Sequence, residues 1–129
     1  MNVEFGNAAE CSAVNQDGTP NGWFVGSSRF IHQRSLRQCE IMEMKWSVHP
    51  RGYDSGIKPC ATGLGISVLI EGRFWFAIRE SSTAPWQEFR LEKRGDFVVS
   101  HGGSEHHYRA IDDCTLLTVR LTLPVLDQP

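Results

Sequence analysis

No segment of this chain is long or apolar enough to span a bilayer. The longest apolar run, ISVLI at residues 66–70, falls far short of the roughly 20 residues a spanning helix needs. The opening stretch MNVEFGNAAE has neither a basic n-region nor an apolar h-region, so no export signal is read there and a cytoplasmic location is expected. Lys and Arg never cluster into a stripe and the formal net charge is −2, which argues against nucleic acid and anionic membrane as partners. The four cysteines, Cys11, Cys39, Cys60 and Cys114, include no CxxC pair, which excludes zinc-ribbon and thioredoxin-like sites. In a reducing compartment they are expected as free thiols, most of them small buried apolar residues. Cys60 has one alternative: Lys58, two residues before it, could activate its thiol.

The 129 residues suffice for one core, and Leu, Ile, Val and Phe make up roughly a quarter of them, above the level of disordered chains. Residues 1–20 are polar, carry the turn cluster NQDGTPNG and read as a partly flexible arm; residues 21–129 read as a single domain. IHQRSLRQCEIMEMKW, residues 31–46, fits either a helix by propensity or, over its second half, a strand. In the strand reading Met42, Met44, Trp46 and Val48 face one side and Glu43, Lys45, Ser47 and His49 the other. HPRGYDSGIKPCATG reads as a loop, dense in Gly and Pro.

From residue 65 the pattern is β. GISVLIEGRFWFAIR gives two strands around a turn at Glu71-Gly72, with Phe74 and Phe76 as core and Arg73 and Arg79 as solvated residues. Trp75, on the arginine face, is expected to cover a neighbouring sheet or lie in a dimer interface. SSTAPWQEF reads as a loop, GDFVVS as a short strand, and CTLLTVRLTL as the last one, with Leu116, Thr118 and Arg120 on one face. Short strands at this spacing imply an all-β sandwich or small barrel.

Three of the five histidines fall in GDFVVSHGGSEHHYRA, residues 95–110. This stretch resembles the second motif of the cupin superfamily: Gly, five residues, Pro-x-Gly, two residues, His. Gly95 opens it, His101 stands at the Pro position, Gly103 matches, and His106 falls on the motif histidine. Gly72 matches the glycine that ends the first motif. MEMKWSVHPRG, ISVLIEGRFWF, GDFVV, HHYRA and LLTVR, in that order, are similar to a group of small cupin-like proteins, some of which carry a signal-peptidase label. The resemblance implies a small cupin-type barrel, that is a double-stranded β-helix or jelly roll, preceded by an N-terminal arm, and by analogy a homodimer.

The resemblance also implies what is missing. Metal-binding cupins carry a His-x-His pair and a Glu in the first motif. Here the Glu position is Gly65, and the His-x-His pair would fall at residues 58–61, which read KPCA. Of those ligands only His106 remains, so no metal site and no cofactor is expected, although His49 with Cys60 or Glu105 could rebuild a divalent-metal site with His106. In a strand His107 would point away from His106, into solvent. If His106 faces the interior, Tyr108 joins it. If the Glu43, Lys45, Ser47, His49 row faces it as well, with Arg120, the pocket holds Glu43, Lys45, His49, His106, Tyr108 and Arg120. Such groups suit a small polar or anionic metabolite. The row is equally readable as the wet face of a half-buried strand. The alternative function is a metal-dependent or histidine-based enzyme of oxygenase, isomerase or decarboxylase type.

Overall fold

A computed structural model of the protein describes residues 3–11, 21–59 and 63–122. Among them the elements are α1 (Ala8–Cys11), β1 (Trp23–Val25), β2 (Met42–His49), β3 (Lys58–Pro59), β4 (Leu64–Glu71), β5 (Phe74–Arg79), β6 (Gln87–Leu91), β7 (Phe97–His101), β8 (Glu105–Ala110) and β9 (Cys114–Leu121). They form two antiparallel sheets. One has the order β1-β2-β9-β4-β7, the other β3-β8-β5-β6. Among the described residues no helix is long and apolar enough to cross a membrane.

The propensities explain the strong strands. β4, β5 and β9 are built from β-branched and aromatic residues that pack well on a pleated surface. β4 and β5 are consecutive in sequence, yet they do not pair with each other; β4 joins β7 and β9, while β5 joins β6 and β8. Gly72 makes that change of sheet possible. Its φ is +93°, and a Cβ there would lie 2.3 Å from the Asp113 carbonyl oxygen and 2.6 Å from the Cys114 Cβ.

The ambiguous segment resolves into two parts. Residues 31–41 run through turns, not a helix, and β2 then pairs residue for residue with β9 over its whole length. Its polar row turns inward: Ser47 is 5 % exposed while Val48 is 68 % exposed. The wet-face reading of that row is therefore wrong. Two strands emerge from stretches that read as loops. β3 is two residues long and ends on Pro59 at a sheet edge, where a missing N–H costs no ladder bond. β6 is the opposite edge strand, and four of its five residues are exposed, so it carries no alternation.

Part of the arm is anchored. The Glu4 carboxylate accepts hydrogen bonds from the Ser35 hydroxyl, the Leu36 N–H and Arg37 Nε, the last at 2.7 Å. Residues 12–20 lie outside the described residues.

The core gathers at one end of the barrel. Leu69, Phe74, Phe76, Leu91, Ala110, Cys114 and Leu116 form one buried cluster, bringing together β4, β5, β6, β8 and β9. Phe74 and Phe76 take the core role their stripe indicates.

The two glycine turns separate steric from conformational strain. Gly95 has the same φ of +93° as Gly72, but nothing lies within 4 Å of its would-be Cβ. Gly95→Ala should cost only the left-handed penalty, about 1–2 kcal/mol. Gly72→Ala adds a backbone collision and should cost at least about 3 kcal/mol. Urea unfolding of both variants checks the order; equal losses would contradict it.

Candidate functional site

The inward positions of each strand change character along the barrel. On β9 they run Cys114, Leu116, Thr118, Arg120; on β4, in the opposite direction, Leu69, Ser67, Gly65. On β2 His49, Ser47 and Lys45 lie across from Cys114, Leu116 and Thr118. On β8 Ala110 gives way to Tyr108 and His106. Beyond the core, then, the interior is lined by small and polar groups that cannot fill it. Two contiguous cavities of about 160 and 80 Å³ open there, and they share Gly65, Ser100, His106, Tyr108 and Arg120. The outer one adds Lys58 and His101; the inner one adds Lys45, Ser47, His49 and Thr118.

Five of the six residues expected from the sequence thus line one continuous space: Lys45, His49, His106, Tyr108 and Arg120. Glu43 does not line it. It lies across from Arg120 in the ladder, next to Gly26, with no ion pair to that arginine among the described residues.

The electrostatics are one-sided. Lys45, Lys58 and Arg120 line the space, and no carboxylate does among the described residues. Burial, then Lys45 and Lys58, push the His49 imidazole from its ordinary 6.5 down to about 4. Burial, then Arg120 and Lys58, lower His106 as well. The Lys45 ammonium is itself disfavoured by burial, then by Arg120 and Lys58. Near neutral pH both imidazoles are therefore uncharged. Tyr108 is pushed up to about 12, first by burial and then by Tyr53, and so remains a phenol able to donate a hydrogen bond.

Aromatic stacking holds these groups in place. His49 stacks on Tyr53 at 4.5 Å between ring centroids, and Tyr108 lies 5.4 Å from Phe74 and 5.6 Å from His106. Lys45 Nζ and Arg120 Cζ sit 5.5 and 5.0 Å from the centroid of the buried Trp23 ring.

The donor set does not fit a transition metal. Among the described residues no three His, Cys, Asp or Glu side chains are grouped to hold one. His49 and His106 are ringed by cations, which oppose a divalent ion. Glu105, adjacent to His106, pairs instead with Arg79 at 3.3 Å. Cys60 lies outside the described residues. Gly65, at the position where the resemblance implies a metal-binding Glu, leaves the space that both cavities share.

Several residues depart from expectation. Arg79 is not solvated: its side chain is 17 % exposed, it pairs with Glu105, and its guanidinium lies 4.2 Å from the Trp86 ring. His107 does point away from His106, but its Nε2 donates to Asp54 Oδ1 at 2.7 Å and its ring meets Trp75 edge-on. Trp75 is covered by its own chain: Arg109 lies 4.2 Å over the ring, and Nε1 donates to Glu88 Oε1. Arg73 is exposed and paired with Asp112. Cys114 is buried as expected, whereas Cys11 and Cys39 are half-buried thiols. Lys58 escapes sequence reasoning as a site residue because it sits in a Gly- and Pro-rich stretch. Only its pairing with His106 across β3 and β8 brings it to the cavity.

A larger hollow of about 550 Å³ lies between the free edges of β6 and β7 and includes Phe89, Phe97, Val99 and Arg79. Its arginine is already paired, so it lacks the unbalanced charge of the interior.

No family model and no curated protein sequence matches the chain. Solved structures do. The Cnp3 cupin domain of Schizosaccharomyces pombe superimposes with a TM-score of 0.55 at 14 % identity, covering 73 % of this chain and 57 % of that one. KdgF from Halomonas sp. gives 0.54 at 15 % identity, over 65 % of this chain and 72 % of that one. A single-substitution variant of oxalate decarboxylase from Bacillus subtilis gives 0.56 at 13 % identity, over 63 % of this chain and 21 % of the decarboxylase. At these identities the likeness concerns architecture, and with the two-sheeted topology and the glycine turns it shows that the protein has the cupin fold.

Proposed function

We propose that the protein binds a small anionic metabolite, a carboxylate in the first instance, inside the barrel and without a metal centre. The observation that carries this reading is the convergence of Lys45, Lys58 and Arg120 on one cavity that no carboxylate lines among the described residues. Lys45 is half-buried, while Lys58 and Arg120 are exposed at the mouth of the cavity, so their mutual repulsion is partly screened by solvent, and a bound anion converts it into attraction. Arg120 offers a bidentate fork and the lysines act as point charges. Tyr108 and the neutral imidazoles add hydrogen-bond donors. An imidazole with a pKa of about 4 is poorly matched to proton transfer near neutrality, which favours binding over histidine-based catalysis for His49.

A thermal-shift series with acetate, lactate and phosphate should raise the unfolding midpoint. Saturation at about a hundred times Kd corresponds to about 2.7 kcal/mol of added stability. Arg120→Gln should remove most of the shift. Gly65→Glu should remove it too, because residue 65, unlike Glu43, lines both cavities, and its new carboxylate would occupy the space beside Arg120. Ser100 Oγ lies 3.2 Å from the new Cβ and can rotate aside. A full shift in both variants would overturn the reading, as would divalent metals raising the midpoint where anions do not.

The same charges fix a pH dependence. His49 has a folded pKa below its ordinary 6.5, so protonation favours the unfolded chain and stability falls as pH drops from 6.5 toward 4. A bound anion favours the imidazolium, so binding takes up protons and tightens over the same window. NMR titration should find His49 near 4 in the free protein and higher with phosphate bound, an anion that keeps its charge across this window. A downward or absent shift on binding would contradict the arrangement.

A further inference from the structure

Lys45 is set apart from the other two lysines of the chain. Lys58 and Lys93 are exposed, whereas Lys45 is half-buried against the inner cavity. Its stem is clamped. Gly22, with φ +89°, lies so close that a Cβ there would meet Lys45 Cγ at 2.9 Å, and Trp23 pairs with Lys45 across β1 and β2. No ion pair holds its amine among the described residues; the neighbour is the Trp23 ring at 5.5 Å, which Arg120 approaches to 5.0 Å. The titratable groups facing this space are His49 on β2, Arg120 on β9, Lys58 on β3, His101 on β7, and His106 and Tyr108 on β8; β4 contributes Leu64, Gly65, Ile66 and Ser67, none of them titratable.

We propose that Lys45 is a nucleophilic amine that captures the carbonyl carbon of a small 2-oxo acid as a Schiff base, with the carboxylate of that acid held by Arg120. The proposal rests on the anion-binding reading of the cavity. A lysine becomes a nucleophile when burial and neighbouring cations disfavour its ammonium form, and burial, Arg120 and Lys58 act on Lys45 in that sense. The step balances without an oxidant or reductant. The neutral amine forms the C–N bond as the carbonyl π bond breaks, and the oxygen takes up the proton that nitrogen sheds. That oxygen then leaves as water with a second proton, giving one imine and one water. His106 and Tyr108 lie on the same cavity, where they can carry these protons. The inner cavity of about 80 Å³ restricts the ligand to a few carbons.

The test uses pyruvate with sodium cyanoborohydride, which reduces an imine to a stable secondary amine, followed by intact mass measurement and peptide mapping. One adduct on Lys45 is expected, exceeding that on exposed Lys93 by about tenfold, because Arg120 holds the carboxylate and so keeps the carbonyl beside the Lys45 amine. Lys45→Arg removes the amine and should abolish the adduct at position 45 while leaving the labelling of exposed Lys93 unchanged. Arg120→Gln should reduce labelling of Lys45 to the level of Lys93. Equal labelling of all three lysines, or an adduct that persists at the same yield in Lys45→Arg, overturns the proposal. An acetate shift without any Lys45 adduct also overturns it and leaves the anion-binding reading standing. Absence of both removes the two together.

Discussion

The arrangement turns on repulsion. The β2–β9 ladder runs unbroken from Met42–Leu121 to His49–Cys114, and it sends alternate residues of both strands into the barrel. Lys45 thereby faces the interior, with the exposed Arg120 at its mouth, and the pairing of Lys58 with His106 brings a third, exposed cation to the same opening. A one-residue slip of β2 would turn Lys45, Ser47 and His49 outward and the Met42, Met44, Trp46, Val48 row inward. The register is thus what forces like charges together. Lys45, His49 and His106 are each pushed away from the charged form, by burial first and by the neighbouring cations second.

The barrel tolerates this because the packed core and the cation-lined cavities occupy different ends. Leu69, Phe74, Leu116 and Cys114 close one end; Phe74, Phe76 and Leu116 form the floor of the inner cavity, and Ser67, Ser47 and Thr118 line it above them. Gly72 joins the halves of the design: it lets the chain pass from β4 in one sheet to β5 in the other against the Asp113 carbonyl. The aromatic series His49, Tyr53, Tyr108 and Phe74 spans the boundary, so the site residues nearest the core are held by packing rather than by salt bridges.

Much of the fold is legible in the sequence. Alternation in β2, β4, β5 and β9 announces strands, and the Gly95 to His106 motif points to the cupin architecture. β6 is not legible because an exposed edge strand shows no period, and β3 because two residues ending in proline cannot display one. At the site, the inward row of β2 can be named but not oriented, since periodicity gives two faces and not which is wet. Lys58 escapes because its place depends on pairing with β8, far along the chain. Arg79 and His107 read as solvated for the same reason: Trp86 and Glu105 cover one, Asp54 and Trp75 the other, and those contacts are set by tertiary packing.

The most direct test of a cation-lined interior is crystallographic. Crystals grown in sodium bromide, measured at the bromine absorption edge, locate bound anions by their anomalous signal. The account predicts a bromide inside the barrel, among Arg120, Lys45 and Lys58. Bromide confined to the outer surface, with the interior holding a metal ion on His49 and His106 instead, would contradict it.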